Sequence, residues 1–216
     1  MSEINPYKPP ESRVADVAVA DAGNFIADGR AVDAGHGWDW IASGYGLFKQ
    51  QPGIWILVLI VLVACSVLIS VVPVIGALAN MVFMQVFMGG VMLGCRALDS
   101  DDSLEVGHVF AGFKQNTGDL IVLGVLSVVG WVIAFVPAII IAGGGTFLAM
   151  MRGGEHMPGL GTLGLTFVLA VLVVFALLLP LYMALWFAPS LIVFNNLKPL
   201  DAMKASFTGC LKNLVP

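Results

Sequence analysis

The residues able to do chemistry are few and scattered. His36, His108 and His156 lie in three different segments. A metal needs several such side chains converging on one point, and these spacings predict no such convergence. Glu155-His156 stands beside Arg152, but Gly153-Gly154 and Pro158-Gly159 around it read as a turn-rich loop. The run Asp99-Ser100-Asp101-Asp102 lacks the ordered oxygen ligands of a calcium loop and reads as loop and helix-cap charge. Cys65, Cys95 and Cys210 have no CxxC spacing, and an odd count argues against a disulfide framework. HExxH, GxSxG and phosphate-cradling glycine loops are missing from the sequence. These residues predict no catalysis, no cofactor and no metal.

A second set of polar residues sits inside apolar runs: Asn80 and Gln85, then Tyr182, with Ser66, Ser70, Ser127 and Ser190. Asn80 and Gln85 are five apart, so they do not stack on one helix face. Hydrogen bonds between membrane helices, at roughly 0.6–2 kcal/mol each, are the simplest reading. A pathway for a solute is the alternative. Gly90 and Gly94 form a GxxxG pattern that lets helix backbones approach closely, and contact within the chain is favoured over dimerisation.

The elements that must position these residues follow from composition. Of 216 residues, 59% are hydrophobic and 11% charged, and mean hydropathy is +0.95. Soluble domains hold about 45–50% apolar and about 25% charged residues, so a polytopic membrane protein is expected. A net charge of −4 offers no basic footprint for nucleic acid. Residues 54–72, 74–95, 120–142 and 162–187, the last extending to 194, are apolar runs. Each is about long enough, at 1.5 Å per residue, to cross a hydrocarbon core of about 30 Å. Continuous runs of this length read as helices rather than barrel strands, so the fold class is all-α. Pro180 and Pro189 predict a bend late in the fourth span. Residues 1–36 are acidic and poor in large apolar side chains, which predicts a disordered tail. The first long apolar run begins at Ile54, too late for a cleaved signal. Lys49, Arg96, Lys114, Lys198, Lys204 and Lys212 flank one side of the spans and only Arg152 the other. That asymmetry predicts a cytoplasmic N-terminus.

Self-similarity adds an internal repeat. Ser43-Gly44-Tyr45-Gly46-Leu47-Phe48-Lys49-Gln50 precedes the first span, and His108-Val109-Phe110-Ala111-Gly112-Phe113-Lys114-Gln115 precedes the third. Ser206-Phe207-Thr208-Gly209-Cys210-Leu211-Lys212-Asn213 closes the chain. Apolar residues recur at helical spacing in each: Trp38, Ile41, Tyr45 and Phe48; Val106, Val109, Phe110 and Phe113; Leu200, Met203, Phe207, Cys210, Leu211 and Leu214. Ser103 and Asp201 are suited to N-capping the second and third. The pattern predicts helices lying in the membrane interface, apolar side down. The expected units are 37–97, 98–196 with its interfacial helix at 103–116, and the start of a third over 197–216. A further hairpin, making six spans, is expected beyond residue 216.

The strings Gly37-Trp38-Asp39-Trp40-Ile41, Phe48-Lys49-Gln50-Gln51-Pro52-Gly53-Ile54-Trp55, Gly90-Val91-Met92-Leu93-Gly94-Cys95-Arg96-Ala97-Leu98 and Val109-Phe110-Ala111-Gly112-Phe113, with residues 189–216, carry a resemblance. Over residues 37–216 the chain resembles an uncharacterised family of proteobacterial inner-membrane proteins. That family is in turn similar to three-repeat, six-span domains such as the membrane domain of some glycerophosphodiester phosphodiesterases. The resemblance implies the bacterial inner membrane and a third hairpin. It implies no catalytic residues, and the phosphodiesterase's catalytic domain has no counterpart in this sequence. A non-enzymatic accessory or scaffold subunit is therefore expected, with membrane lipids and a membrane-protein partner or a second copy as partners. Passive transport of a solute or lipid between parallel repeats is the alternative.

Overall fold

The computed structural model describes residues 25–26, 29–33, 35–100, 102–151 and 160–214. Most of the expected tail, and Arg152, Glu155 and His156 with it, lie outside the described residues. The described residues are helical and contain no strand. Helix α1 (His36–Gln50) leads into α2 (Pro52–Ile69), and α3 (Ile75–Asp99) returns beside it. A 3-10 helix (Val106–Phe113) connects to α4 (Thr117–Met151), α5 (Leu160–Trp186), the short α6 (Ala188–Asn195) and α7 (Pro199–Lys212). Four stretches are long and apolar enough to cross a membrane: Pro52–Ile69, Ile75–Asp99, Thr117–Gly144 and Gly164–Asn195.

Local chemistry explains the boundaries. Pro52 opens α2 at a position where a missing N–H costs nothing. Between α2 and α3 the chain reverses through a γ-turn. Ile75 N–H donates to Pro73 O at 2.8 Å while Val74 holds φ 66°, ψ −62°. This is the rare, strained form of that turn, here on a β-branched residue. Pro137 and Pro180 lie inside α4 and α5 without ending either helix. Helix α4 runs through Gly143 to Met151, so the loop expected from residue 143 starts later; at 35 residues it is roughly 52 Å long. The bend after α5 occurs at Phe187, two residues before Pro189.

The two buried clusters lie toward one end of the bundle, with Ala134, Ala138 and Ala170 buried further along α4 and α5. Val86, Leu120, Leu123, Ala188, Ile192 and Ala202 join α3, α4, α6 and α7 in one buried cluster. Val58, Phe87, Leu98, Leu104 and Val109 join α2 and α3 to the segment around the 3-10 helix. By contrast Leu59, Val67 and Leu68 on α2, and Leu172, Phe175 and Leu179 on α5, are exposed. Such faces are stable against lipid, which is as apolar as they are.

The segment at 103–116 departs from the α-helix read from the sequence, and α7 departs from its expected cap. The former is a 3-10 helix running antiparallel along α3, capped by Glu105 and not by Ser103. Three residues per turn align Val106, Val109 and Gly112, and Val109 and Gly112 are buried. Phe110 and Phe113 reach the edge of the Phe87 ring, with centroids 6.0 and 5.4 Å away. Helix α7 begins at Pro199, ahead of Asp201, and buries Ala202 and Ser206. Leu200, Leu211 and Leu214 face outward. The small side chains allow close packing against α5, and the large apolar ones suit lipid.

Candidate functional site at the polar end of the bundle

The charged and amide residues flanking the spans meet at the end that holds the two buried clusters. Gln51 Oε1 accepts from Leu104 N–H at 3.1 Å, tying the α1–α2 junction to the segment after α3. Asn116 and Asn196, both left-handed with φ 56° and 53°, are joined by Asn116 Nδ2 donating to Asn196 Oδ1 at 3.0 Å. Asparagine tolerates that conformation better than other residues with a β-carbon. Lys198 Nζ lies 3.5 Å from Asp119 Oδ2; both are solvent-accessible, so the pair adds little stability. His108 is a capping residue: its Nδ1 accepts from Glu105 N–H at 3.0 Å while the Glu105 side chain caps the His108 N–H. His36 Nδ1 stands 3.1 Å from Asp39 Oδ2 on exposed α1. Among the described residues no three histidine, cysteine or acidic side chains gather as metal ligands.

At the bend between α5 and α6, Ser206 fills a gap in the backbone ladder. In an unbroken helix Phe187 N–H would bond Met183 O directly. Here Ser206 Oγ donates to Met183 O at 2.7 Å and accepts from Phe187 N–H at 3.0 Å. The hydroxyl is therefore inserted into the ladder, a recognised cause of helix bends. Cys210, one turn further on, lies 3.5 Å from the same carbonyl, and burial pushes its thiol pKa up, with the Ser206 hydrogen bond opposing. Asn213 then clamps the segment before α1. Its Oδ1 accepts from Val32 N–H at 2.8 Å, and its Nδ2 donates to Arg30 O at 2.9 Å. Gly29, at φ 65°, sits where a β-carbon would stand 3.0 Å from Gly209 Cα. Residues 29–33 are thus held against α7, within a stretch whose composition predicts disorder.

The polar residues singled out in the spans do not converge. Asn80 Oδ1 is buried in α3 without a hydrogen-bond partner. Gln85 is half-buried on the same helix. Tyr182 lies on α5 with its ring 5.7 Å from Trp131, edge to face. It lines a groove of about 480 Å³ with Trp40, Met183, Trp186, Cys210 and Asn213, which neither Asn80 nor Gln85 reaches. Gly90 and Gly94 face inward along the chain. A β-carbon at Gly90 would overlap His108 O and Val109 O, and one at Gly94 would meet Leu104. On α1, Trp38, Ile41, Tyr45 and Phe48 are exposed and no residue is buried. Met203 and Phe207 are half-buried and Leu211 exposed on α7.

Sequence reasoning missed the Ser206 relay, the Asn213 clamp and the contact of Gly124 with the Val82 backbone. The expected equivalence of His108 and Ser206 between the similar strings was the available signal. Each sits where its segment folds back on the preceding span, His108 near Gly90 and Gly94, Ser206 at Met183 and Phe187.

No family model matches this chain, and no solved structure matches it. It is 28% identical over 188 residues to a protein of Burkholderia thailandensis named a probable inner membrane protein, an alignment covering 84% of this chain and 69% of the relative. With its four long apolar helices, this chain is an integral membrane protein built of α-helices.

Proposed function

We propose that this protein is a non-enzymatic subunit of the bacterial inner membrane, an accessory or scaffold for other membrane proteins, with its N-terminus in the cytoplasm. The name of its Burkholderia relative supports the compartment. The gathering of Lys49, Arg96, Lys114 and Lys198 at the ends of their spans supports the orientation. The fold-back of His108 and Ser206 onto their preceding spans supports a repeated unit.

One observation carries the accessory reading. Neighbouring spans are packed backbone to backbone, with Gly124 of α4 against Val82 of α3, while α2 buries only Val58. Tight inner seams with a free outer helix suit a rigid body that presents surface to a partner. The spans carry charge only within about one turn of their ends, at Arg96, Asp99 and Asp119, unlike coupled transporters, which use acids or bases deep in the membrane.

The test is gentle native extraction followed by mass determination. The expected result is a partner in fixed stoichiometry, lost when Leu59 and Val67 on the outer face of α2 are changed to alanine. A homogeneous assembly without a partner overturns the reading. It would favour passive movement of solute or lipid, for which the unpartnered Asn80 Oδ1 is the motivating observation.

A further inference from the structure

A second cavity, of about 510 Å³, opens at the polar end where α1, α3 and α6 meet. Leu47, Met92 and Phe194 give it apolar walls, and Arg96, Asp99 and Asn195 give it polar ones. Arg96 and Asp99 are one turn apart on α3, the spacing of an intrahelical ion pair, yet they form none. Among the described residues the ion pairs are His36–Asp39 and Lys198–Asp119. The Arg96 guanidinium instead lies over the Phe194 ring, its Cζ 5.4 Å from the centroid. An unpaired cation and an unpaired carboxylate therefore line one cavity, at the end of a membrane span where headgroups lie.

We propose that this cavity binds a phospholipid with an ethanolamine headgroup. The phosphate takes the guanidinium of Arg96, which bonds phosphate through a planar fork of donors. The primary ammonium, two carbons away, takes Asp99 and the Asn195 side chain through its N–H groups. The glycerol and first acyl carbons lie along Leu47, Met92 and Phe194. Charge complementarity selects this headgroup. A choline headgroup has no N–H to give Asp99, and a glycerol headgroup leaves the carboxylate without a cation beside the lipid's own negative phosphate. The inference rests on membrane insertion and not on the accessory role.

The experiment uses the full chain in detergent micelles. It is incubated with equimolar palmitoyl-oleoyl phosphatidylethanolamine, phosphatidylglycerol and phosphatidylcholine, and bound lipid is read by native mass spectrometry. A charge-assisted hydrogen bond corresponds to about a tenfold change in affinity. The ethanolamine lipid is therefore expected to be retained about tenfold over the choline lipid. Arg96→Gln should lose retention of all three lipids, and Asp99→Asn should keep binding while losing the preference for ethanolamine. Both side chains are exposed, and unchanged melting of each variant shows that the fold is kept. Retention in proportion to the lipids supplied overturns the proposal, as does a preference that survives Asp99→Asn. Displacement of the lipid by millimolar inorganic phosphate would also overturn it, because the site would then be one for a free anion.

Discussion

The Ser206 hydroxyl replaces a backbone hydrogen bond that α5 gives up at Phe187. Removing it leaves a part-buried donor and acceptor without this partner, which costs about 1 kcal/mol. Ser206→Ala is expected to lower the melting temperature in detergent clearly, while Ser190→Ala, whose hydroxyl bonds Phe187 O locally at 2.7 Å, should cost less. Equal melting of the two variants would show that the relay carries no stability. Cys210 reports on the same contact. Burial raises its thiol pKa, so less thiolate is present at neutral pH than for a free cysteine. Labelling by a water-soluble maleimide should be slow at neutral pH and should accelerate only above the ordinary thiol range. The unfolded thiol loses its proton first, so this group's contribution to stability is whole below the unfolded pKa and declines as pH rises through the folded one. A labelling profile centred on the ordinary thiol value would contradict this.

At the level of elements, the α3–α4 seam depends on absent side chains. A β-carbon at Gly124 would press on Val82 backbone atoms at 2.6 Å, whereas one at Gly118 would meet nothing within 4 Å. Backbone cannot yield as a flexible side chain can, so Gly124→Ala should force the helices apart at a cost of about 1–3 kcal/mol. Gly118→Ala should be neutral. The comparison is read as thermal aggregation of the two variants in one detergent, and equal behaviour would show that the seam has slack. Short elements obey different rules here than long ones. The segment at 103–116 carries an apolar stripe that fits an α-helix in the interface, yet it winds as a 3-10 helix because it lies against the glycine face of α3. Its local period yields to the contact that buries Val109 and Gly112.

For the whole molecule, the two buried clusters and the polar span ends coincide, leaving the distal halves of α2 and α5 as apolar surface. Val74, 73% exposed in the α2–α3 turn, marks the opposite end from Ser100 at the close of α3. In a variant without Cys65, Cys95 and Cys210, an impermeant thiol reagent added to intact cells should label Val74→Cys and spare Ser100→Cys. The reverse pattern would invert the proposed orientation.

Much of this was legible from residue order alone. Four spans, their helical nature and their approximate limits follow from unbroken apolar runs, because lipid forbids an unpaired backbone and length must match the bilayer. Which faces turn inward was not legible. On α7 the large apolar residues were read as the side facing the membrane, and that reading did not place Ala202 and Ser206 in a buried seam against α5. In water, hydrophobicity identifies the buried side of a helix; in lipid both sides are apolar, and steric fit decides. The pairing of Asn213 with residues 30 and 32, the insertion of Ser206 into the α5 ladder and the cavity shared by Leu47, Arg96 and Phe194 all join residues distant in sequence. Local periodicity carries no record of such contacts, so only the tertiary structure decided them.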